Sequence, residues 1–375
     1  MKVAFISNYF NHHQAPFCNE MFSLLGDDFV FIETEAMEEE RAQMGWGITK
    51  YPSYVKKAYS SSDEEDKCLR LIDEADAAIL GSAPERFIRN RLKNSKLIIR
   101  YSERPLENGV EILKHPYRWI KWHKKAPSKK PVYMLCASAY TSSDLKKLGV
   151  LKGRCYKWGY FPPTYKYDSI ETIINKKKPA SILWVSRFIE LKHPEIPIYL
   201  AKKLKESNYD FSIKMIGIGE MQEKIKGLIS SLNVEDRIEI MGSMGPEQVR
   251  REMEQSELFL FTSDHREGWG AVLNESMNSG CAVVANKEIG SVPYLIKDGV
   301  NGLVYEFKDI NNIYEKVTFL LDKPAERKKI SLNAYNTIIE DWNAENAAHR
   351  LLIIIEDLLN NKWLSCYPEG PCSMA

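Results

Sequence analysis

Short blocks of Val, Ile, Leu and Phe recur along the whole chain. One series is Val3–Ile6, Phe29–Ile32, Ala77–Leu80, Leu97–Ile99 and Tyr133–Ala137. A second is Ile182–Val185, Phe211–Ile216, Ile238–Met241, Leu258–Phe261, Ala282–Ala285 and Leu303–Tyr305. The blocks do not alternate strictly between apolar and polar residues, which is the pattern of strands covered on both faces. Helical spacing of apolar residues fills the intervals. Strand–helix alternation kept up over this length predicts an α/β protein with parallel, doubly wound sheets.

The two series are separated by Trp158 to Pro179, a stretch with Gly159, Pro162, Pro163, several aromatic residues, Lys176, Lys177 and Lys178. Prolines followed by a charge run read as a linker. We therefore expect two Rossmann-like domains, residues 1–170 and 171–340, with parallel sheets facing a central cleft. Leu351, Leu352, Ile355 and Leu358 predict a closing helix over 341–363 that packs back on the first domain. The last residues, 364–375, hold two prolines and a glycine and read as a flexible tail. In open parallel sheets ligands bind beyond the carboxyl ends of the strands, so the loops after the strands hold the candidate chemistry.

Composition narrows the function classes. A 375-residue chain with 44% hydrophobic and 27% charged residues is ordinary for a globular protein. Its formal net charge of +1 gives the whole chain no polyelectrolyte character, which argues against bulk capture of nucleic acid and leaves room for local basic patches. The seven cysteines are scattered without zinc-ligand spacing, which suits reduced thiols in a cytoplasmic protein. The first apolar block is too short for a secretory signal, and no run reaches the length of a membrane span. Any membrane contact is expected to be peripheral.

The segment Glu267-Gly268-Trp269-Gly270-Ala271-Val272-Leu273-Asn274-Glu275 follows an apolar block and a polar loop. A helix starting near Gly270 would turn free backbone N–H groups toward an anion. Gly268 and Gly270 would let a ligand approach the main chain. Glu267 and Glu275, if helical, would share one face about two turns apart. One carboxylate could then hold sugar hydroxyls and the other a ribose diol. Upstream, Trp184-Val185-Ser186-Arg187-Phe188-Ile189-Glu190-Leu191-Lys192-His193-Pro194 ends an apolar block with two cations. Arg187 and Lys192 could neutralise a diphosphate leaving group. Gly217-Ile218-Gly219 lacks the third glycine of a dinucleotide fingerprint and is weak support for NAD.

Taken together, Glu257 to Tyr305 resembles glycosyltransferase family 4 of the GT-B superfamily. The likeness lies in Glu267-Gly268-Trp269-Gly270, in Glu275, in Met277-Asn278-Ser279-Gly280, in Ile289-Gly290-Ser291-Val292-Pro293 and in Asp298-Gly299-Val300-Asn301-Gly302. The Arg187 to Lys192 stretch is similar to the family's strand–Arg–loop–Lys motif. The resemblance implies a GT-B fold and retention at the anomeric carbon. It makes Glu267, Arg187 and Lys192 catalytic, and Glu275, Gly268, Trp269, Gly270, Gly217, Met241 and Met244 donor-binding.

The first half matches less closely. Its first loop, Ser7-Asn8-Tyr9-Phe10-Asn11-His12-His13-Gln14-Ala15-Pro16-Phe17, lacks the family's glycine pair and resembles a bacterial subgroup with an Asn-His-His-Gln loop. His13 is preferred over His12 for a catalytic contact, with His12 left to the acceptor. A histidine common in the family is absent near Ile99-Arg100-Tyr101-Ser102-Glu103-Arg104-Pro105, so Glu103 or Arg104 is assigned to the acceptor. Lys114 to Pro131 interleaves Lys114, Arg118, Lys121, Lys124, Lys125, Lys129 and Lys130 with Tyr117, Trp119 and Trp122, a composition that suits an anionic membrane surface. Arg86, Arg89, Arg91 and Lys93 could extend that face.

The expected activity is transfer of a hexosyl group from a nucleotide-diphosphate sugar, foremost a UDP-sugar, to a hydroxyl of a glycan or lipid-linked glycan. No metal and no cofactor are expected, the nucleotide-sugar being a co-substrate. A UDP-sugar epimerase of GT-B fold, a non-catalytic nucleotide-sugar-binding protein and an NAD-dependent oxidoreductase are the other readings.

Overall fold

The computed structural model describes residues 1–38, 50–111, 114–360 and 367–375. The chain forms two compact units, Met1–Pro163 with Asn343–Ala375, and Thr164–Trp342.

The first unit is built on β1 (Val3–Ser7), β2 (Phe29–Glu33), β3 (Val55–Lys57), β4 (Ala77–Leu80), β5 (Leu97–Ser102), β6 (Val132–Cys136) and β7 (Cys155–Lys157). They pair in the order β3-β2-β1-β4-β5-β6-β7, and every pairing is parallel. The central strands are apolar throughout because helices cover both faces. β3 and β7 carry no apolar block. They lie at the sheet's two edges, where a strand is only partly covered, and so the hydrophobic pattern does not mark them.

The second unit holds β8 (Lys178–Val185), β9 (Ser212–Ile216), β10 (Ile238–Gly242), β11 (Ser256–Phe261), β12 (Ala282–Asn286) and β13 (Leu303–Tyr305). Their order, β10-β9-β8-β11-β12-β13, is also all parallel. In each sheet the strand order reverses beside the first strand of that series, between β1 and β4 and between β8 and β11. Connections leave on opposite faces there, and the carboxyl ends of the two strands bound a crevice.

The end of the first unit and the end of the chain differ from the sequence expectations. The first unit ends at Pro163 rather than near residue 170, because helix Ile170–Lys176 buries Ile170 and Ile174 with Tyr335 inside the second unit. The closing helix is described over Ala344–Leu359 and packs on helix Ala15–Leu25; its expected extension to Trp363 lies outside the described residues. The tail is not loose over 367–375. Lys157 N donates to Ser373 O at 2.7 Å, Cys372 N to Lys157 O at 2.8 Å and Ala375 N to Cys155 O at 3.0 Å. The segment completes the open edge of β7 with an antiparallel bridge from Tyr156 to Met374, and Cys372 and Ser373 are buried. An unpaired edge is a ready template for another strand, and here the chain's own end takes it.

Arg91, read above as part of a basic surface, is wholly buried. Its guanidinium donates to the carbonyls of Ile72, Ala75, Asp76 and Leu97 at 2.6–3.0 Å. It fastens the end of helix Ser62–Glu74 to β5. Arg91→Leu removes the donors and leaves buried carbonyls unmet, so urea denaturation is expected to show a loss of roughly 2–5 kcal/mol.

Candidate functional site

The crevice between β8 and β11 is bounded by the loops Ser186–His193 and Thr262–Gly270. Trp184 Nε1 donates to Thr262 Oγ1 at 2.8 Å, and Thr262 Oγ1 donates to Lys192 O at 2.6 Å. The two loops are thereby tied at their bases. At their tips Lys192 Nζ donates to Glu267 Oε2, and both side chains are mostly enclosed. The structure therefore joins two residues far apart in the chain. Arg187 lies on the same loop as Lys192, with its side chain exposed.

Backbone conformation explains the glycines here. A Cβ on Gly217 (φ +139°) would lie 1.8 Å from Ser186 O, and one on Gly219 (φ +159°) 2.5 Å from Phe188 O. The Gly217-Ile218-Gly219 turn after β9 is thus pressed against the Arg187 loop, a packing reason for the Gly-x-Gly spacing. A Cβ on Gly270 would lie 2.4 Å from the Phe261 ring and 3.3 Å from Glu267 Cγ. Met241 at the end of β10 and Met244 just beyond it are half-buried.

Two expectations about Glu267 to Glu275 are corrected. The helix runs over Val272–Asn278, so Glu267 stands in the preceding loop and does not share a helical face with Glu275. Trp269 is wholly buried; its indole donates to Asn274 Oδ1 at 2.9 Å and packs beside Tyr294 and Trp342. It is a core residue, and its ring is not open to a donor. Gly268 is buried beside it.

Glu275 keeps part of its surface open, but protein surrounds the carboxyl group. Burial pushes it up to about 7, with the charge of Arg250 pulling the other way. No hydrogen bond joins its carboxylate to a described residue. Asp264 behaves oppositely. Burial would raise it, but Arg266, backbone and His193 hydrogen bonds outweigh burial and hold it below the usual carboxylate range. Asp264 and His193 were not singled out in the sequence, since neither has a motif neighbour of its own type.

In the first unit, Asn11 Oδ1 accepts from the backbone of His13 at 3.0 Å and of Gln14 at 3.2 Å, turning the chain into helix Ala15–Leu25. Buried Glu33 at the end of β2 accepts from Phe10 N at 2.6 Å and pins the same loop. Asn11 thus shapes the turn, and the paired rings of His12 and His13, 3.8 Å apart, follow from it. Burial, then the neighbouring His12, lowers His13 to about 3, which keeps it neutral. His13 stacks on Tyr160, and Tyr160 Oη donates to Glu103 Oε1 at 2.6 Å. The structure therefore brings His13, Tyr160 and Glu103 into one chain of contacts beyond the ends of β1 and β5. Tyr160 was visible only as one aromatic residue of the proline-rich stretch. Arg104 donates twice, at 3.2 Å, to Asp144, which is 1% exposed. That pairing engages Nε and Nη2 of Arg104 and leaves Nη1 outside it.

Helix His115–Lys125 exposes Tyr117 (67%), Trp119 (46%) and Ile120 (48%) beside exposed Lys114, Lys121 and Lys124. Trp122 points into the core. Lys114, Arg118, Lys121 and Lys125 line a groove of about 360 Å³ that also reaches Ser102 and Pro105. No helix among the described residues is long and apolar enough to cross a membrane.

Residues 168–337 match the family described as Glycosyl transferases group 1. AmsK, an amylovoran biosynthesis glycosyltransferase of Erwinia amylovora, is 26% identical over 186 residues, 48% of this chain and 46% of that protein. The N-acetylgalactosamine-N,N'-diacetylbacillosaminyl-diphospho-undecaprenol 4-alpha-N-acetylgalactosaminyltransferase of Campylobacter jejuni is 28% identical over 193 residues, 52% of this chain and 46% of that protein. The chain matches about half the length of these curated relatives. HepE of Anabaena, solved in complex with UDP, superposes with a TM-score of 0.69 at 13% identity, covering 94% of this chain and 98% of that one. Two parallel-sheet α/β units and that likeness give this chain the GT-B fold, and its second unit carries the match to the group 1 glycosyl transferases.

Proposed function

We propose that the chain is a retaining glycosyltransferase. It moves a hexosyl group from a UDP-sugar to a hydroxyl of a glycan or lipid-linked glycan, without a metal ion. The observation that carries this reading is the meeting of Lys192 and Glu267 at the crevice of the group 1 unit. The UDP bound to HepE and the diphospho-undecaprenol acceptor in the name of the Campylobacter relative support the donor and acceptor classes.

Lys192 and Arg187 take the donor diphosphate. A diphosphate competes with Glu267 for Lys192 and so frees Glu267 for the sugar hydroxyls. Glu275 accepts from the ribose diol, and Gly217, Met241 and Met244 lie toward the base. The bond from the anomeric carbon to the β-phosphate oxygen breaks as the acceptor oxygen bonds to that carbon. The acceptor's proton passes to a donor phosphate oxygen. Lys192 and Arg187 stabilise the negative charge that grows on the leaving diphosphate. The first unit takes the acceptor, with His13, His12 and Glu103 at its hydroxyls. Helix His115–Lys125 holds an anionic membrane surface.

Product analysis with a panel of UDP-, GDP- and dTDP-sugars and a lipid-linked glycan acceptor tests the reaction. Transfer from a UDP-sugar with retained configuration is expected, and Glu267→Ala should lower it by roughly a hundredfold or more. Formation of an epimer without acceptor, or binding without turnover, would refute the transferase reading.

Glu275 yields a pH dependence. Its pKa rises from 4.5 to about 7 on folding. The group is therefore neutral in both states at low pH, costs stability increasingly between about pH 4.5 and about pH 7, and adds no further cost above that. Hydroxyl donors favour the carboxylate form. Calorimetric UDP affinity should accordingly rise up to about pH 7 and then level off, while ligand-free stability falls over the same range. Glu275→Gln should flatten both curves.

The membrane contact predicts co-sedimentation with phosphatidylglycerol vesicles and not with phosphatidylcholine vesicles. Lys121→Gln and Lys124→Gln should each weaken binding by about 1 kcal/mol. Trp119→Ser with Ile120→Ser should weaken it further, and undiminished sedimentation of the combined variant would refute the contact.

A further inference from the structure

The residue next to Lys192 has an unusual backbone. His193 sits in the left-handed region at φ +50°, where it caps the short turn Glu190–Lys192 with its N–H donating to Glu190 O. Its ring is held on both sides. Nδ1 lies 2.7 Å from Glu195 Oε1 and Nε2 lies 3.2 Å from Asp264 Oδ2. An ionised carboxylate only accepts, so the two contacts are both hydrogen bonds when both ring nitrogens carry a proton, which is the imidazolium form. Phe307 packs edge-on against it at 4.9 Å.

Asp264 is the other half of the device. It is 3% exposed, and Arg266 grips it through Nε and Nη2 at 2.7–3.1 Å. Its backbone N donates to Leu191 O at 2.9 Å, and its carbonyl accepts from Glu267 N at 3.0 Å. One aspartate thus touches the chain one residue before Lys192 and the backbone of Glu267. His193 bonds to that aspartate from the residue after Lys192.

We propose that His193 is a positioning residue of the donor site: its imidazolium, bridging Glu195 and Asp264, locks the Lys192 loop to the Glu267 loop so that both present the geometry a nucleoside diphosphate sugar needs. This rests on the donor-site reading given above and adds a residue to it. The bridge is one cation between two carboxylates; without it they face each other with less positive charge between them, and the Lys192 and Glu267 tips lose their register while the loop bases stay tied through Thr262 and the Asp264 backbone.

The charge on His193 is set by groups from every side. Glu195 and Asp264 are in contact with it, and Arg266 lies across Asp264. Glu190, Lys224 and Lys308 line, with His193, a groove of about 710 Å³. Burial works against the charge, but the bonds to Glu195 and Asp264 outweigh it and hold the imidazole above its ordinary value of 6.5. A raised histidine contributes fully below its unfolded pKa and loses that contribution as pH rises through its folded one. The bridge therefore opens on the alkaline side, opposite in sense to the Glu275 effect.

UDP titration calorimetry from about pH 6 to about pH 9 reads it out on the full chain. Wild-type affinity should fall along the alkaline limb. His193→Gly adopts the left-handed backbone without strain yet has no ring; it should bind UDP roughly tenfold more weakly at neutral pH and show no alkaline limb. His193→Arg supplies a cation that does not titrate in this range; it should recover most of the affinity and keep it at high pH. Wild-type binding by His193→Gly with the alkaline limb intact would overturn the positioning role alone. A wild-type protein with no affinity for UDP would overturn the donor site itself, and the role of His193 with it.

Discussion

Lys192 and Glu267 can meet only because β8 and β11 are neighbours whose connections leave the sheet on opposite faces. Parallel pairing of two strands from distant parts of the chain brings their carboxyl ends level. Reversal of strand order keeps any helix from covering those ends. Everything at the site inherits this constraint. Thr262 spans the bases of the two loops, the glycines after β9 and within the β11 loop let neighbouring segments press in, and the charged side chains fill what remains.

The acidic groups of the second unit then acquire different properties from one local difference, the supply of donors. Asp264 is buried but receives Arg266, His193 and backbone N–H groups, so its charge is kept and its position fixed. Glu275 is enclosed without such donors, and the enclosure pushes it up to about 7. A satisfied carboxylate organises protein. A desolvated one without donors is a place where a ligand's hydroxyls gain more than they would in water. The proposed split between a loop-bracing aspartate and a ribose-reading glutamate follows from that contrast rather than from either residue's type.

The sheets were largely legible in the sequence because both faces of the central strands are covered, which writes them as unbroken apolar blocks. The edge strands β3 and β7 were not, since Val-Lys-Lys and Cys-Tyr-Lys carry no such block. The docked end of the chain was missed for a related reason: its interactions are backbone hydrogen bonds to an edge, which composition does not reveal. Within the site, Arg187, Lys192, Glu267 and Glu275 stood out by motif. The helical reading that placed both glutamates on one face failed, because Gly270 at φ +76° turns the chain before the helix begins. Trp269 stood out in the same motif, yet its burial answers to tertiary packing with Trp342, seventy-odd residues downstream. His193 and Asp264 left no signal, because a bridge between two loops has no fixed spacing in sequence.

The first unit shows a different electrostatic design. At its strand ends the Arg104 and Asp144 charges cancel and His13 is held neutral by burial, while Glu103 is held by the neutral hydroxyl of Tyr160. On helix His115–Lys125, Arg118 and Lys125 are paired with Glu111 and Glu85, while Lys121 and Lys124 form no ion pair with a described residue and lie beside exposed aromatic and aliphatic side chains. A free sugar would gain little from that helix, and a bare anion would gain little from the strand ends. An acceptor with a neutral glycan at its reacting end and an anionic lipid at its far end would use both, so the lipid-linked glycan named in the proposed reading is the acceptor that engages the whole unit.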